Sequence, residues 1–141
     1  MCAVVTREHF TLRLNADTKR ELERLAAGRR VGKTVLAEQY LEEAVRLAAH
    51  PGVLFRDGPA GRRPALVSGP DVWEVVSVFR DNDTDEGQTA SYLNLPVGVV
   101  QAAIGYYADH REDIDSWIEA NNREADEAEA AWQRRRALGS T

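Results

Sequence analysis

A single cysteine, Cys2, is present in 141 residues, so no internal disulfide can form and no second thiol is available for a Cys-based metal site. Histidine is nearly as scarce. His9, His50 and His110 fall in three separate segments without metal-ligand spacing, and no His-Cys-Asp constellation marks a nucleophilic centre. The sequence therefore predicts a protein that is not an enzyme and that carries neither metal nor cofactor. No run of about 18 apolar residues exists to span a bilayer. The opening Met1 to Val5, followed by Thr6-Arg7-Glu8-His9, lacks the apolar length and cleavage site of a signal peptide. A soluble, cytoplasmic chain with no membrane partner is expected, Cys2 being an incidental free thiol. Internal repeats are also absent.

Charge is present in both signs and unevenly placed. The net charge is -5, yet residues 1–50 hold Arg7, Arg13, Lys19, Arg20, Arg24, Arg29, Arg30, Lys33 and Arg46 against fewer acids and are net basic. A nucleic-acid surface needs only such a local excess. Residues 109–129 reverse the balance with Asp109, Glu112, Asp113, Asp115, Glu119, Glu124, Asp126, Glu127 and Glu129, opposed by His110, Arg111 and Arg123. That stretch should avoid DNA and prefer a basic partner.

Hydrophobic spacing divides the chain into two small modules. His9 to Leu14 alternates strictly, Phe10, Leu12 and Leu14 on one face and His9, Thr11 and Arg13 on the other, which predicts a short half-buried strand. Asn15 or Asp17 can cap a helix carrying Leu22, Leu25 and Ala26, with Gly28 as its stop. A second helix begins near Gly32-Lys33-Thr34 and turns Leu36, Tyr40, Ala44 and Leu47 inward. His50-Pro51-Gly52 ends it. Residues 51–70 read as a linker with a small hairpin, built from Val53-Leu54-Phe55 and Ala65-Leu66-Val67. Residues 71–111 read as a helical domain: Asp71 to Arg80 is helical, Asp83 with Glu86 forms a capping box, and Asn94-Leu95-Pro96 separates two helices in a helix-turn-helix pattern. Residues 112–141 read as one long charged helix with the sparse stripe Ile114, Trp117, Ile118, Ala125, Ala128 and Trp132.

The strand Phe10-Thr11-Leu12-Arg13-Leu14, the capping residues Asn15 to Asp17 and the two following helices resemble the ribbon-helix-helix family of repressors and antitoxins over residues 6–49. The resemblance implies an intertwined homodimer in which each strand pairs with its twin, with Phe10, Leu12, Leu14, Leu36 and Tyr40 at the dimer contact. It also implies that His9, Thr11 and Arg13 face the major groove of operator DNA. A guanidinium at position 13 can bond both O6 and N7 of guanine. Lys33 and Thr34, at the amino end of the second helix, would hold a phosphate. The plainer readings are an edge strand of another small sheet and a solvated lysine.

Residues from His50 to about Asp115 resemble a small helical domain of unknown function found in bacterial antitoxins, many encoded beside PIN-like ribonuclease toxins. The residues that carry this are Gly61-Arg62-Arg63-Pro64, Gly69-Pro70-Asp71-Val72-Trp73, the Leu95-Pro96 turn and Val100 to Tyr107. Its helix-turn-helix offers Gln101 to a base but no Lys or Arg to grip phosphate, so a packing or protein-contact role is favoured. Together the two resemblances imply an antitoxin of a type II pair that represses its own operon and neutralises a toxin. Ile114, Trp117, Ile118, Trp132, Arg134, Arg135 and Arg136 are the expected toxin contacts. The alternative is a plain repressor whose second module binds a ligand or forms tetramers.

Two motifs fail on context. Ala27 to Thr34 matches a relaxed phosphate-binding loop, but it leaves a charged amphipathic helix rather than a buried strand. Asp81 to Asp85 opens like a calcium loop, yet Glu86 stands where Gly is required and Tyr92 where the bidentate Glu should be. An acidic capping turn accounts for it better.

Overall fold

A computed structural model describes residues 6–67 and 69–140. It is mainly helical: among the described residues, six helices accompany one two-stranded sheet. The order is α1 (Ala16–Arg29), α2 (Lys33–Ala49), β1 (Val53–Arg56), β2 (Arg63–Leu66), α3 (Val72–Asp81), α4 (Glu86–Leu93), α5 (Val97–Asp109) and α6 (Arg111–Leu138). The chain forms two compact units, Met1–Ala44 and Val45–Thr141, and the boundary falls inside α2.

In the first unit, residues 6–15 carry neither helix nor ladder. The strand expected over 9–14 is absent from the single chain, because a strand exists only where a second one accepts and donates its backbone hydrogen bonds. Asn15 caps α1 by accepting from the Asp17 amide at 2.8 Å. Gly28 does not stop the helix. α1 runs on to Arg29, and Arg30 takes the left-handed conformation at φ 57 while Val31 N–H bonds back to the Ala26 carbonyl at 3.0 Å. Those closing bonds satisfy carbonyls that would otherwise be orphaned, which offsets the strain of a non-glycine residue there. Only Ala26 and Leu36 are buried among the described residues of this unit.

The second unit has a core of its own. Val53 and Leu66 enter from the hairpin, Val72, Val75 and Val76 from α3, Ala90 from α4, Val100, Ala103 and Tyr106 from α5, and Ile114 and Ile118 from α6. α3 packs against α4, α5, α6 and β2 and lies at the centre. The segment read as linker and hairpin is thus a structural part of this unit. β1 and β2 are antiparallel in the register Val53↔Leu66, Leu54↔Ala65, Phe55↔Pro64 and Arg56↔Arg63, closed by reciprocal Gly58 and Gly61 backbone bonds with Gly61 at φ 120. Pro64 lacks a donor and is tolerated because a two-stranded ribbon has an outer edge.

The capping box predicted for Asp83 and Glu86 forms elsewhere. Asp83 and Thr84 lie in the left-handed region, and Asp85 caps α4 by accepting from the Gln88 amide at 2.7 Å. The box occurs at α3, where Glu74 accepts from the Asp71 amide at 2.9 Å. Asp71 is itself buried, pairs with the Arg63 guanidinium and accepts from Trp73 Nε1 at 3.2 Å. One carboxylate therefore ties β2 to the start of α3. Asp71→Ala should destabilise the second unit by about 2–4 kcal/mol, since it removes a cap and strands a mostly buried guanidinium. Asp71→Asn, which can keep the cap, should cost less. Chemical denaturation followed by Trp fluorescence measures both.

Candidate nucleic-acid interface and partner-binding helix

Every residue of the arm at 6–15 is exposed, so burial does not divide it into two faces. Thr11 Oγ1 and His9 Nε2 share a hydrogen bond of 3.0 Å, which places residues two apart on one side of an extended backbone. Between and beyond them the apolar set stands in water, Phe10 being 76% exposed, Leu12 53% and Leu14 40%. Arg13 is exposed and makes no ion pair among the described residues. Arg7, of the same parity, reaches Glu38 on α2 at 3.0 Å.

Other residues expected at this interface are placed less uniformly. Lys33 and Thr34 open α2 and are exposed. The Glu23 carboxyl is held below its ordinary value first by its hydrogen bond to Lys19 and then by the charges of Lys19 and Lys33, so Lys33 already answers an acid of α1. Leu36 is buried within the single chain at 1% exposure, and Tyr40 is half-buried with the Arg29 guanidinium 5.7 Å from its ring centre. Neither is an open contact in the way that Phe10, Leu12 and Leu14 are.

The long helix α6 has two halves of different character. Ile114 and Ile118, expected among the toxin contacts, are core residues of the chain's own second unit, and Trp117 is half-buried. They face inward because the first two turns of α6 lie against α3 and α5. From Glu119 to Glu129 every residue is exposed. Trp132 is 51% exposed, with the Arg136 guanidinium 5.2 Å from its ring centre, and Arg134 and Arg135 are exposed beside it. Sequence spacing could not separate the halves, since one stripe runs through both.

α4, the turn at Asn94 and α5 form the expected helix-turn-helix, Asn94 being left-handed at φ 54 and Pro96 preceding the first residue of α5. Gln101 bonds Glu86 at 3.1 Å, so its amide is held by an acid. Among the described residues no group of three or more His, Cys, Asp or Glu could hold a metal ion, and no helix is long and apolar enough to cross a membrane. Cys2 lies outside the described residues.

Sequence reading missed one polar cluster. His50 and His110 come to 5.6 Å between ring centres, both beside Tyr106, and His50 Nε2 lies 3.0 Å from Asp109 Oδ2. Arg46 donates to the fully buried Tyr106 hydroxyl at 3.1 Å and to Asp113 at 2.9 Å. Burial would depress Arg46, but its bonds to Tyr106 and Asp113 outweigh that and hold its pKa above the ordinary value. The legible signal was a pair of i, i+4 spacings, Arg46 with His50 at the end of α2 and Tyr106 with His110 at the end of α5.

Compared with protein families, curated proteins and solved structures, the chain finds no match.

Burial, then the charges of Arg46 and His50, lower the pKa of His110 against weaker opposition from Asp113 and Asp109. A histidine with a depressed native pKa binds more protons unfolded than folded. Its contribution to stability is complete above the unfolded value and is lost as pH falls toward the native one. The thermal midpoint of the second unit should therefore drop between about pH 7.5 and pH 5.5. His110→Asn should flatten that dependence, as read by circular dichroism at each pH.

Proposed function

We propose that this chain is the antitoxin of a two-protein pair, a dimeric DNA-binding repressor through its first unit and the neutraliser of a toxin through the distal half of α6. The observation that carries this reading is the arm. Three apolar side chains at alternating positions stand in water on a unit whose described residues bury only Ala26 and Leu36, with polar residues at the positions between them. Pairing each arm with its twin in an antiparallel ribbon covers Phe10, Leu12 and Leu14 and supplies the missing ladder, giving a ribbon-helix-helix dimer. His9, Thr11 and Arg13 then face outward into the major groove, with Arg13 reading a base and Lys33 with Thr34 positioning a phosphate. Leu12→Asp should abolish both the pairing of the arms and operator binding, because an unpaired charge beneath the ribbon costs several kcal/mol. Arg13→Ala should relax sequence preference at one base pair, worth about 1–3 kcal/mol. Sedimentation and operator titrations read these outcomes; a Leu12→Asp first unit that still pairs contradicts the ribbon.

The second half of the reading rests on α6. Twenty residues of helix beyond Ile118 touch no core and leave their side chains open for a partner to cover. Trp132 and Arg134 to Arg136 offer an aromatic anchor with adjoining cations, a composition typical of interface hot spots. The toxin is a PIN-like ribonuclease, whose acidic centre those arginines would complement. Because Ile114 and Ile118 hold the second unit together, the informative truncation ends after Asn122. That chain should keep its fold and operator affinity while losing the toxin in a pull-down with the product of the adjacent gene. Growth rescue by the truncated chain equal to that by the full one would sink the assignment.

A further inference from the structure

The exposed half of α6 continues a seam that its buried half begins. Positions 114, 118, 121, 125, 128, 132 and 135 are spaced alternately by four and three residues, the period at which one helix face meets another along its length. The first two are Ile114 and Ile118, inside the core at 0% and 7% exposure; the rest, Asn121, Ala125, Ala128, Trp132 and Arg135, lie in water. Along these turns the seam has one wall missing, and Trp132 and the alanines stand open for another element to cover.

Three features of that half specify its occupant. Charge is segregated along the axis: Glu119, Glu124, Asp126, Glu127 and Glu129, with Arg123 the one cation among them, are followed by Arg134, Arg135 and Arg136. Seam positions are symmetric about Ala130, so that 128 matches 132 and 125 matches 135 when the helix is laid against itself head to tail. Side-chain sizes are complementary under the same operation, since Trp132, the largest, meets Ala128, one of the smallest. We propose that the distal half of α6 pairs with α6 of a second copy, antiparallel and centred on Ala130. The pairing brings arginines 134–136 of each helix alongside acids 124–127 of the other, whereas a parallel pair would set like charges together. Alanines at 125 and 128 let the axes approach closely where Trp132 inserts. The pairing stands without the proposed function. If α6 also takes the toxin, self-pairing and toxin compete for one seam.

The test uses the full chain with Cys2→Ser and Leu12→Asp, which remove the native thiol and the arm's apolar contact; the second unit carries α6, so the readout survives loss of the first unit's fold. This protein should sediment as a monomer-dimer equilibrium between about 5 and 200 µM. Trp132→Ala, or the triple variant Arg134→Glu, Arg135→Glu and Arg136→Glu, should weaken the dimer at least about tenfold. Mixing the triple variant with a chain carrying Glu124→Lys, Asp126→Lys and Glu127→Lys should restore association, which a merely structural role of these residues would not do. For direction, a short thiol crosslinker should join Ala131→Cys chains readily. It should fail on Asn121→Cys, whose twins lie about 27 Å apart along the axis in the antiparallel register. A monomer at every concentration, no rescue on mixing, or equal crosslinking at 121 and 131 overturns the proposal.

Discussion

Removing apolar side chains from water holds a chain of this size together, at roughly 25 cal/mol for each Å² buried, and the two units meet that requirement differently. The second unit meets it alone. The inner face of α3, with Val72, Val75 and Val76 at 0% exposure, is covered by the hairpin, α4, α5 and the first turns of α6. The first unit does not. Among its described residues only Ala26 and Leu36 are buried, while Phe10, Leu12 and Leu14 stand exposed. The proposed dimer would meet the requirement, because one pairing would cover those side chains and supply partners for the backbone groups of the arm.

Polar groups inside the second unit determine how its layers are joined. Asp71 receives Arg63 from β2 and Trp73 from α3 while it caps the latter helix, so a single buried carboxylate is neutralised and hydrogen-bonded by groups from two elements. Arg46, at the end of α2, does the complementary task with the Tyr106 hydroxyl and Asp113. Each is a charge that would be expensive to bury without its partners. Both are placed where elements with unrelated apolar patterns must meet in one orientation.

α6 is where fold and proposed function share a single element. Its first turns contribute Ile114 and Ile118 to the core and so fix where the helix starts, while the exposed remainder is held only by its own backbone bonds and by charged neighbours on its surface. A helix anchored at one end presents its far half at little conformational cost, since part of the ordering is already imposed by the core. The segregation of acids and arginines along that half makes its electrostatics directional.

Much was legible in the residues alone, and the reason is local. Alternation at 9–14, the Asn15 cap, the Asn94-Leu95-Pro96 turn and the long charged helix each depend on contacts within a few residues, and each element except the strand forms in the single chain. The strand expected at 9–14 does not form, because alternation along one segment supplies no second segment to pair with. Other features required the tertiary structure for the same kind of reason. Whether α1 stops at Gly28 or runs on to a left-handed Arg30 depends on which carbonyls the following turn can satisfy. Asp85 rather than Asp83 caps α4 because the turn before it places two residues in the left-handed region. Ile114 and Ile118 look like Trp132 in a stripe, and only the position of α3 and α5 separates core from surface. His50 and His110 are sixty residues apart in sequence, and the packing of the end of α2 against α5 makes them neighbours. Propensity and capping act along the chain over one or two turns, whereas burial and long-range charge act through space, so the sequence by itself determined the elements and the tertiary structure decided which faces of them meet.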